Sequence, residues 1–461
     1  MCAAAAIALL AVMPSIASAQ QRADARQRPG SSLALRRRAH WGAAIVPAGD
    51  DSGAVVRRVD PAMAAARAGL RVGDHIVRLN GRSVRGADAF WPAFRAIRGL
   101  DTVRAVVLRS RDGAAADTVS LRFVVDSLPH ERIAGVTVTY GAIRSDRGHL
   151  VRTVVTRPTA AGTGPLPGML FIPWLSCDPV EKPDPGTDGF AHTLREVAAR
   201  SGMVLMRVEK PGLGDSEGPD CRHGSLDDEM AAYRAALRAL RATLGVDSTR
   251  LYLWGGSLGG ALAPILAVDD GAGVDGVIAA GGFTKTWYEH MLEIERRRLQ
   301  LLGSSPSEVN QAMRGFALFY TEYLIRRRTP AQVLADRGEL RPLWYDEPAH
   351  QYGRPASYYH AVQQLDVEGA WATVAQRRIP ALVVWGEYDW IMSRDDQERA
   401  VSIVNARFPG GGTLAVVPRT DHGLMAYSSL ADAFGDVGPT YDGAAARAIV
   451  AWLRRRSSAA R

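Results

Sequence analysis

One pentapeptide restricts this chain more than any other: Gly255-Gly256-Ser257-Leu258-Gly259. Before it runs Arg250-Leu251-Tyr252-Leu253-Trp254, which reads as a short buried strand. After it, Gly260 to Val268 reads as the start of a helix. A serine where a strand turns sharply into a helix is held in a strained backbone conformation. The turn closes only if its neighbours lack Cβ atoms, which gives glycine at 255, 256 and 259 a steric reason. Strand, G-x-S-x-G and helix, in that order, form a nucleophile elbow.

A serine hydroxyl is a poor nucleophile until a base takes its proton. In an elbow protein the partners follow in the chain order serine, acid, histidine. Four histidines lie downstream: His290, His350, His360 and His422. An acid is expected just after a late strand. Ile379 to Trp385 is such a strand, and Gly386-Glu387-Tyr388-Asp389 follows it. Only His422 lies beyond Asp389. It follows another strand, Thr413 to Val417, in the loop Pro418-Arg419-Thr420-Asp421-His422-Gly423. Glu387, Asp395 and Asp396 stay open as alternative acids.

With these residues in place the chain resembles the α/β-hydrolase superfamily over roughly residues 130 to 461, and within it the serine aminopeptidase/monoacylglycerol-lipase-like group. The carriers are the elbow, the W-G-x-x-D loop at 385–389 and the D-H-G loop at 421–423. The resemblance implies Ser257 as nucleophile, Asp389 as acid and His422 as base. It also implies an oxyanion hole made by the Leu258 and Leu175 backbone N–H groups. Leu175 lies in Pro173-Trp174-Leu175-Ser176-Cys177, after the strand Pro167 to Ile172. Many relatives carry His-Gly where this chain has Pro173-Trp174. A further likeness, Glu209 to Gly218, matches the superfamily's D-x-x-G-x-G-x-S-x-G loop and is read as structural support beside the elbow. It lacks the Gly-Lys-Ser/Thr ending of a phosphate cradle and is not a GxGxxG dinucleotide fingerprint. Residues 283–370 are expected to be a helical cap that shapes the pocket, with His290, His350 and His360 structural or at the surface. Cys177 and Cys221 fall in loops beyond the C-terminal ends of neighbouring strands of the resembled fold, and an oxidising compartment would pair them.

The first third differs in kind. Residues 1–19 carry no charge, have an apolar core from Ala3 to Met13 and end in Ala17-Ser18-Ala19, the pattern of a signal peptide. A leader of the usual kind would open with a basic residue, which implies a start further upstream. Residues 20–38, rich in Gln, Arg and Ser, read as a disordered linker. Residues 39–125 hold Ala68-Gly69-Leu70, Gly73-Asp74, Ile76 and Asn80-Gly81 in the spacing A-G-L-x-x-G-D-x-I-x-x-x-N-G. Asn80-Gly81 is a hairpin turn signal. This stretch resembles a PDZ domain of the bacterial protease-associated kind. The resemblance implies a groove for a C-terminal peptide taken as an added strand. Trp41, Gly42, Ala43 and Ala44 would form its carboxylate loop. The alternative is a packing or lid module.

The fold class expected is therefore an α/β-hydrolase domain over 126–461, preceded by a small mainly-β PDZ domain. The formal charge of +8 invites a nucleic-acid reading. Only Lys182, Lys210 and Lys285 among the 56 basic residues are lysines, and the arginines are scattered without a continuous patch, so nucleic acid is not an expected partner. No Cys/His cluster has zinc spacing and no HExxH occurs, so the sequence implies no metal or cofactor. Beyond the leader no stretch reaches the length of a membrane span, so the mature chain is expected to be secreted or periplasmic. The substrate implied is a small acyl ester. A peptide cleaved by the same triad is the alternative, and a PDZ-based binding protein with a vestigial hydrolase domain is a reading of another class.

Overall fold

The computed structural model of the chain describes residues 35–459 apart from 49–51, 112–113, 161 and 163. The expected leader at 1–19, and residues 20–34 of the expected linker, lie outside the described residues.

The N-terminal unit is built from strands β1 (Ala39–His40), β2 (Ala43–Pro47), β3 (Ala54–Val59), β4 (His75–Leu79), β5 (Arg82–Ser83), β6 (Thr102–Arg111) and β7 (Ala114–Val124). The sheet order is β2-β3-β4-β6-β7, with β5 paired to β4, and the helix Ala87–Arg95 packs on it. Asn80 and Gly81 both have positive φ (47° and 85°), as the tight β4–β5 turn requires. Alternate strand residues such as Val56, Ile76, Val103 and Val107 face one core with Phe90 from the helix. A short strand β8 (Asp126–Ser127) returns to pair with β1.

The larger unit holds an eight-stranded sheet. Its strands are β9 (Val136–Arg144), β10 (Leu150–Pro158), β11 (Leu166–Ile172), β12 (Val204–Val208), β13 (Val246–Gly256), β14 (Gly276–Ala280), β17 (Ala381–Gly386) and β18 (Gly412–Val417). The order is β9-β10-β12-β11-β13-β14-β17-β18. β9, β10 and β12 pair antiparallel, and β12 through β18 run parallel. Strands buried on both faces need no polar alternation, and every residue of β12, β14 and β17 is buried. The two faces still segregate. On β13, Leu251 and Leu253 point into one core, and Tyr252 and Trp254 into the other. Each fully buried side chain of this size contributes about 1.5–3 kcal/mol by leaving water. The chain reverses direction across the sheet between β11 and β13, the switch point outside whose carboxyl ends open α/β sheets bind ligands. The loops after β11, β13, β17 and β18 all emerge there.

Between β14 and β17 the chain inserts helices Trp287–Leu301, Pro306–Tyr320, Pro330–Asp336 and Ala356–Val362, together with a small hairpin of β15 (His350–Gln351) and β16 (Arg354–Pro355). Capping boxes start the first three, at Thr286, Ser305 and Thr329.

The two units are joined by charge as well as chain. Arg37 donates to Glu181 (2.7 and 2.9 Å) and to Asp215 (2.7 Å), and the Arg38 N–H donates to Asp215 (2.6 Å). Both carboxylates are almost fully buried. Arg95 pairs with Asp220 at 2.8 Å. Residues 35–38, read from composition as the end of a disordered linker, are therefore fixed. Buried carboxylates need countercharges, and these arginines supply them. The stretch 124–133 between the units contains β8 and Glu131, whose carboxylate accepts from buried Arg207 at 2.5 and 3.0 Å.

Candidate active site

Ser257 caps the helix Leu258–Val268 with φ 55° and ψ −123°, a conformation strained for any residue with a side chain. Its N–H donates to Ala280 O at 2.8 Å, tying the turn to β14. The glycines are required by contact. A Cβ on Gly255 would lie 1.9 Å from Gly259 O, and one on Gly259 would lie 2.0 Å from Ile172 O at the end of β11.

The loops after β17 and β18 bring the other two residues to the serine. His422 Nε2 is 2.9 Å from Ser257 Oγ, and His422 Nδ1 is 2.8 Å from Asp389 Oδ2. The second Asp389 oxygen accepts the N–H groups of Ile391 (2.9 Å) and Met392 (2.8 Å). With its proton on Nδ1 the imidazole donates to Asp389 and leaves Nε2 free to accept from Ser257. Burial pushes the His422 pKa down, but the Asp389 charge and hydrogen bond outweigh it and the group stays above the ordinary histidine range. The alternative acids lie elsewhere. Glu387 accepts from Arg419 N, Asp396 is held by Thr284 and Ser393, and Asp395 lies in the first turn of the helix Arg394–Arg407. Tyr388 N donates to Thr420 O at 2.8 Å, so the acid and histidine loops are stitched together.

Leu258 opens the helix behind Ser257, and Leu175 lies across the cavity rim in the loop after β11. Among the described residues neither N–H has a protein acceptor. Cys177 in the same loop is disulfide-bonded to Cys221, which binds the loop after β11 to the loop after β12.

A cavity of 720 Å³ opens over Ser257 and His422. Trp174, Phe190, Trp287, Ile294, Trp390 and Met392 make it largely apolar. Asp178, Asp188, Asp421 and Asp436 also line it, and no lysine or arginine among the described residues does. Of the two places expected for it, structural or at the surface, His290 is not at the surface: it is buried in the cavity wall, and burial pushes its pKa well down, so it is neutral. Its Nδ1 has no hydrogen-bond partner. Its position one turn into the first inserted helix is readable from the sequence, but not the direction it faces.

Among the described residues, one group of side chains that could ligate a metal forms away from this cavity. Asp88, His223 and His350 come from three separate segments and bring ligand atoms within 4.8 Å of one another. Arg222 donates to both Asp88 (3.1 Å) and Glu347 (2.5 Å) there, so a fixed cation already serves these carboxylates. In the N-terminal unit, Trp41 is buried against Phe94 (centroids 5.0 Å apart) and Phe123. Gly42 O accepts from Asp60 N at 2.6 Å, and Ala43 and Ala44 pair with Val59 and Arg58 at the start of edge strand β2.

Among solved structures, the chain is similar to DcsB in complex with its substrate analogue (15% identity, TM-score 0.42, covering 69% of this chain and 99% of that one). It is also similar to the esterase domain of a Rhodothermus marinus protein (16%, TM-score 0.40, 69% and 98%). A third is one of two fungal esterases from Rhizomucor miehei (15%, TM-score 0.40, 70% and 85%). No curated protein sequence matches it. The PDZ family model matches residues 31–93. The model for serine aminopeptidase, S33, matches residues 188–426, more than half of the chain and the span from the start of the helix after β11 to the histidine loop. The chain is thus an α/β hydrolase of the S33 serine aminopeptidase family, with a PDZ domain at its N-terminal end.

Proposed function

We propose that this protein transfers acyl groups to water through a covalent acyl-serine on Ser257. The observation that carries the reading is the unbroken hydrogen-bonded chain Ser257–His422–Asp389 at the floor of an apolar cavity. Ser257 Oγ attacks the substrate carbonyl as its proton passes to His422 Nε2. Asp389 holds the ring and stabilises the imidazolium that forms. The oxyanion is received by the Leu258 and Leu175 N–H groups. His422 then gives its proton to the leaving group, which departs. Water attacks the acyl-serine with His422 as base, releasing the acid and restoring Ser257.

A carboxylester is the first choice of substrate, because the apolar walls suit an acyl chain. A second reading, peptide or aminoacyl substrates, is favoured by the four carboxylates and the absence of a lysine or arginine among the described lining residues, an arrangement that attracts a free amine. Export to an oxidising compartment is supported by the disulfide and the leader-like first 19 residues. Among the described residues no helix is long and apolar enough to cross a membrane. The edge position of β2 supports a peptide taken there as an added strand.

The test is hydrolysis of p-nitrophenyl esters of increasing chain length against aminoacyl p-nitroanilides, on the native chain and on Ser257→Ala. Turnover of either class that disappears in Ser257→Ala is the expected result. Equal turnover by the mutant would refute the acyl-serine.

A further inference from the structure

The loop after β11 is held from behind by buried cations. Lys210 is 1% exposed. Its Nζ donates to the carbonyl oxygens of Trp174, Leu175 (3.0 Å) and Ser176 (3.0 Å). An ammonium has three protons, and here three consecutive carbonyls of one loop take them. Arg354, on β16, adds a bond from Nε to Leu175 O (3.1 Å) and one from Nη1 to Cys221 O (2.6 Å). Glu229 is the nearest countercharge. It lies 3.8 Å from Lys210 and accepts from Arg354. Both cations thus lie directly behind the loop, with Glu229 between them.

The peptide plane turns this into function. A trans peptide points its N–H away from its C=O. The Leu175 N–H shares a plane with the Trp174 carbonyl, so fixing that carbonyl on Lys210 fixes the N–H in the opposite direction. A hydrogen bond to the carbonyl also polarises the amide and strengthens the N–H as a donor. Lys210 reaches this place because β12 lies beside β11, and the chain leaving β12 passes beneath the loop that leaves β11.

We propose that Lys210 is a positioning residue for oxyanion binding: its ammonium anchors the carbonyls of 174–176 and so aims the Leu175 N–H at the oxygen of the substrate carbonyl. The proposal rests on the acyl-serine reading above. Lys210 itself touches no substrate. The charged groups facing it are Glu229 from the helix Leu226–Arg241, Arg354 from β16, Asp178 from beyond the loop, and its neighbour Glu209. Burial, the strongest influence, lowers the ammonium pKa to about 7. Arg354 adds to that, while Glu229, Asp178 and Glu209 oppose it. As pH rises through this range one carbonyl loses its anchor and the loop loses its charge.

The experiment compares the full chain with Lys210→Met and Lys210→Gln. For each, kcat and KM are measured on one activated ester. Inhibition constants are measured for a trifluoromethyl ketone, which adds Ser257 and places an oxyanion in the hole, and for the matching methyl ketone, which does not. The expected result for Lys210→Met is a fall in kcat of about 10²-fold with KM unchanged. The trifluoromethyl ketone weakens by a similar factor and the methyl ketone does not. Lys210→Gln, which can still donate twice but carries no charge, falls between, and is read alone if Lys210→Met does not fold. Native kcat and native trifluoromethyl ketone affinity in a folded variant would overturn the proposal. Turnover surviving in Ser257→Ala would instead overturn the acyl-serine reading, and the proposal with it.

Discussion

Replacing Asp389 by asparagine separates the two things the carboxylate does. One oxygen of Asp389 is occupied by the N–H groups of Ile391 and Met392. In Asp389→Asn the side-chain amide oxygen would take that place and turn the NH2 group toward His422 Nδ1, which lies 2.8 Å from the carboxylate in the native chain. The ring would then accept at Nδ1 and carry its proton on Nε2, facing Ser257 Oγ. Restoring the productive tautomer means giving up the neutral hydrogen bond from the asparagine amide to Nδ1, about 1.5 kcal/mol at the high end. The imidazolium also loses an opposite charge at close range, about 4 kcal/mol at an effective dielectric near 20. Together these approach about 5.5 kcal/mol, or roughly 10⁴-fold in kcat. The pH profile should move as well. His422 must be neutral to act as base, so in the native protein activity falls as pH drops through its raised pKa. Without the Asp389 charge, burial is opposed only by the weaker influence of Asp421, and the acid limb should move to lower pH. Steady-state hydrolysis of an activated ester from acid to neutral pH, with a thermal melt as the folding control, reads both effects. A loss under about tenfold with an unmoved acid limb would refute this account of Asp389.

Other consequences are as concrete. Gly281 has φ +61°, and a Cβ there would lie 3.1 Å from the His422 ring and 3.4 Å from Asp389, so Gly281→Ala should lower kcat while the global melt shifts little; unchanged kcat would show that the loops yield freely. Removing the disulfide with Cys177→Ser and Cys221→Ser frees a link across 44 residues, worth up to about 4 kcal/mol by loop entropy; chemical denaturation should show it, and activity should fall before secondary structure does. Arg37→Ala leaves Glu181 and Asp215 short of a buried countercharge and should cost about 3–5 kcal/mol. A hydrolase unit truncated to begin at Asp126 should for the same reason melt earlier than the full chain yet still label at Ser257 with a fluorophosphonate; loss of labelling in a folded truncation would show that the N-terminal unit helps form the site.

The sequence is most informative where chemistry is local or ordered along the chain. Ser257 announces itself because the strained turn forces glycine at 255 and 259, and those glycines are visible. Asp389 and His422 each lie a few residues past an apolar strand, but spacing leaves Glu387, Asp395 and Asp396 open as the acid, and it is the hydrolase resemblance that implies Asp389. The Cys177–Cys221 pair is accessible for a similar reason, since β11 and β12 are neighbours and their loops exit at one edge. What stays hidden depends on segments far apart in sequence. Arg37 meets Asp215 across 178 positions, and nothing in a Gln- and Arg-rich stretch marks which arginine will be buried. Lys210 reads only as part of a supporting loop, because its three acceptors are backbone carbonyls and leave no trace in side-chain identity. His290 sits on a helix whose periodicity says that a face is buried, but not that the face borders the cavity. The PDZ resemblance puts Trp41 at the entrance of the groove, yet its ring is taken up by Phe94 and Phe123 in the core.

The central claim is tested most directly by trapping the acyl-enzyme. The native chain is mixed with a slowly deacylating activated ester, quenched in acid, and analysed by intact mass and peptide mapping. One acyl group per chain, on the peptide containing Ser257 and missing from Ser257→Ala, is the expected result. Turnover without any adduct, or an adduct that persists in Ser257→Ala, would contradict it.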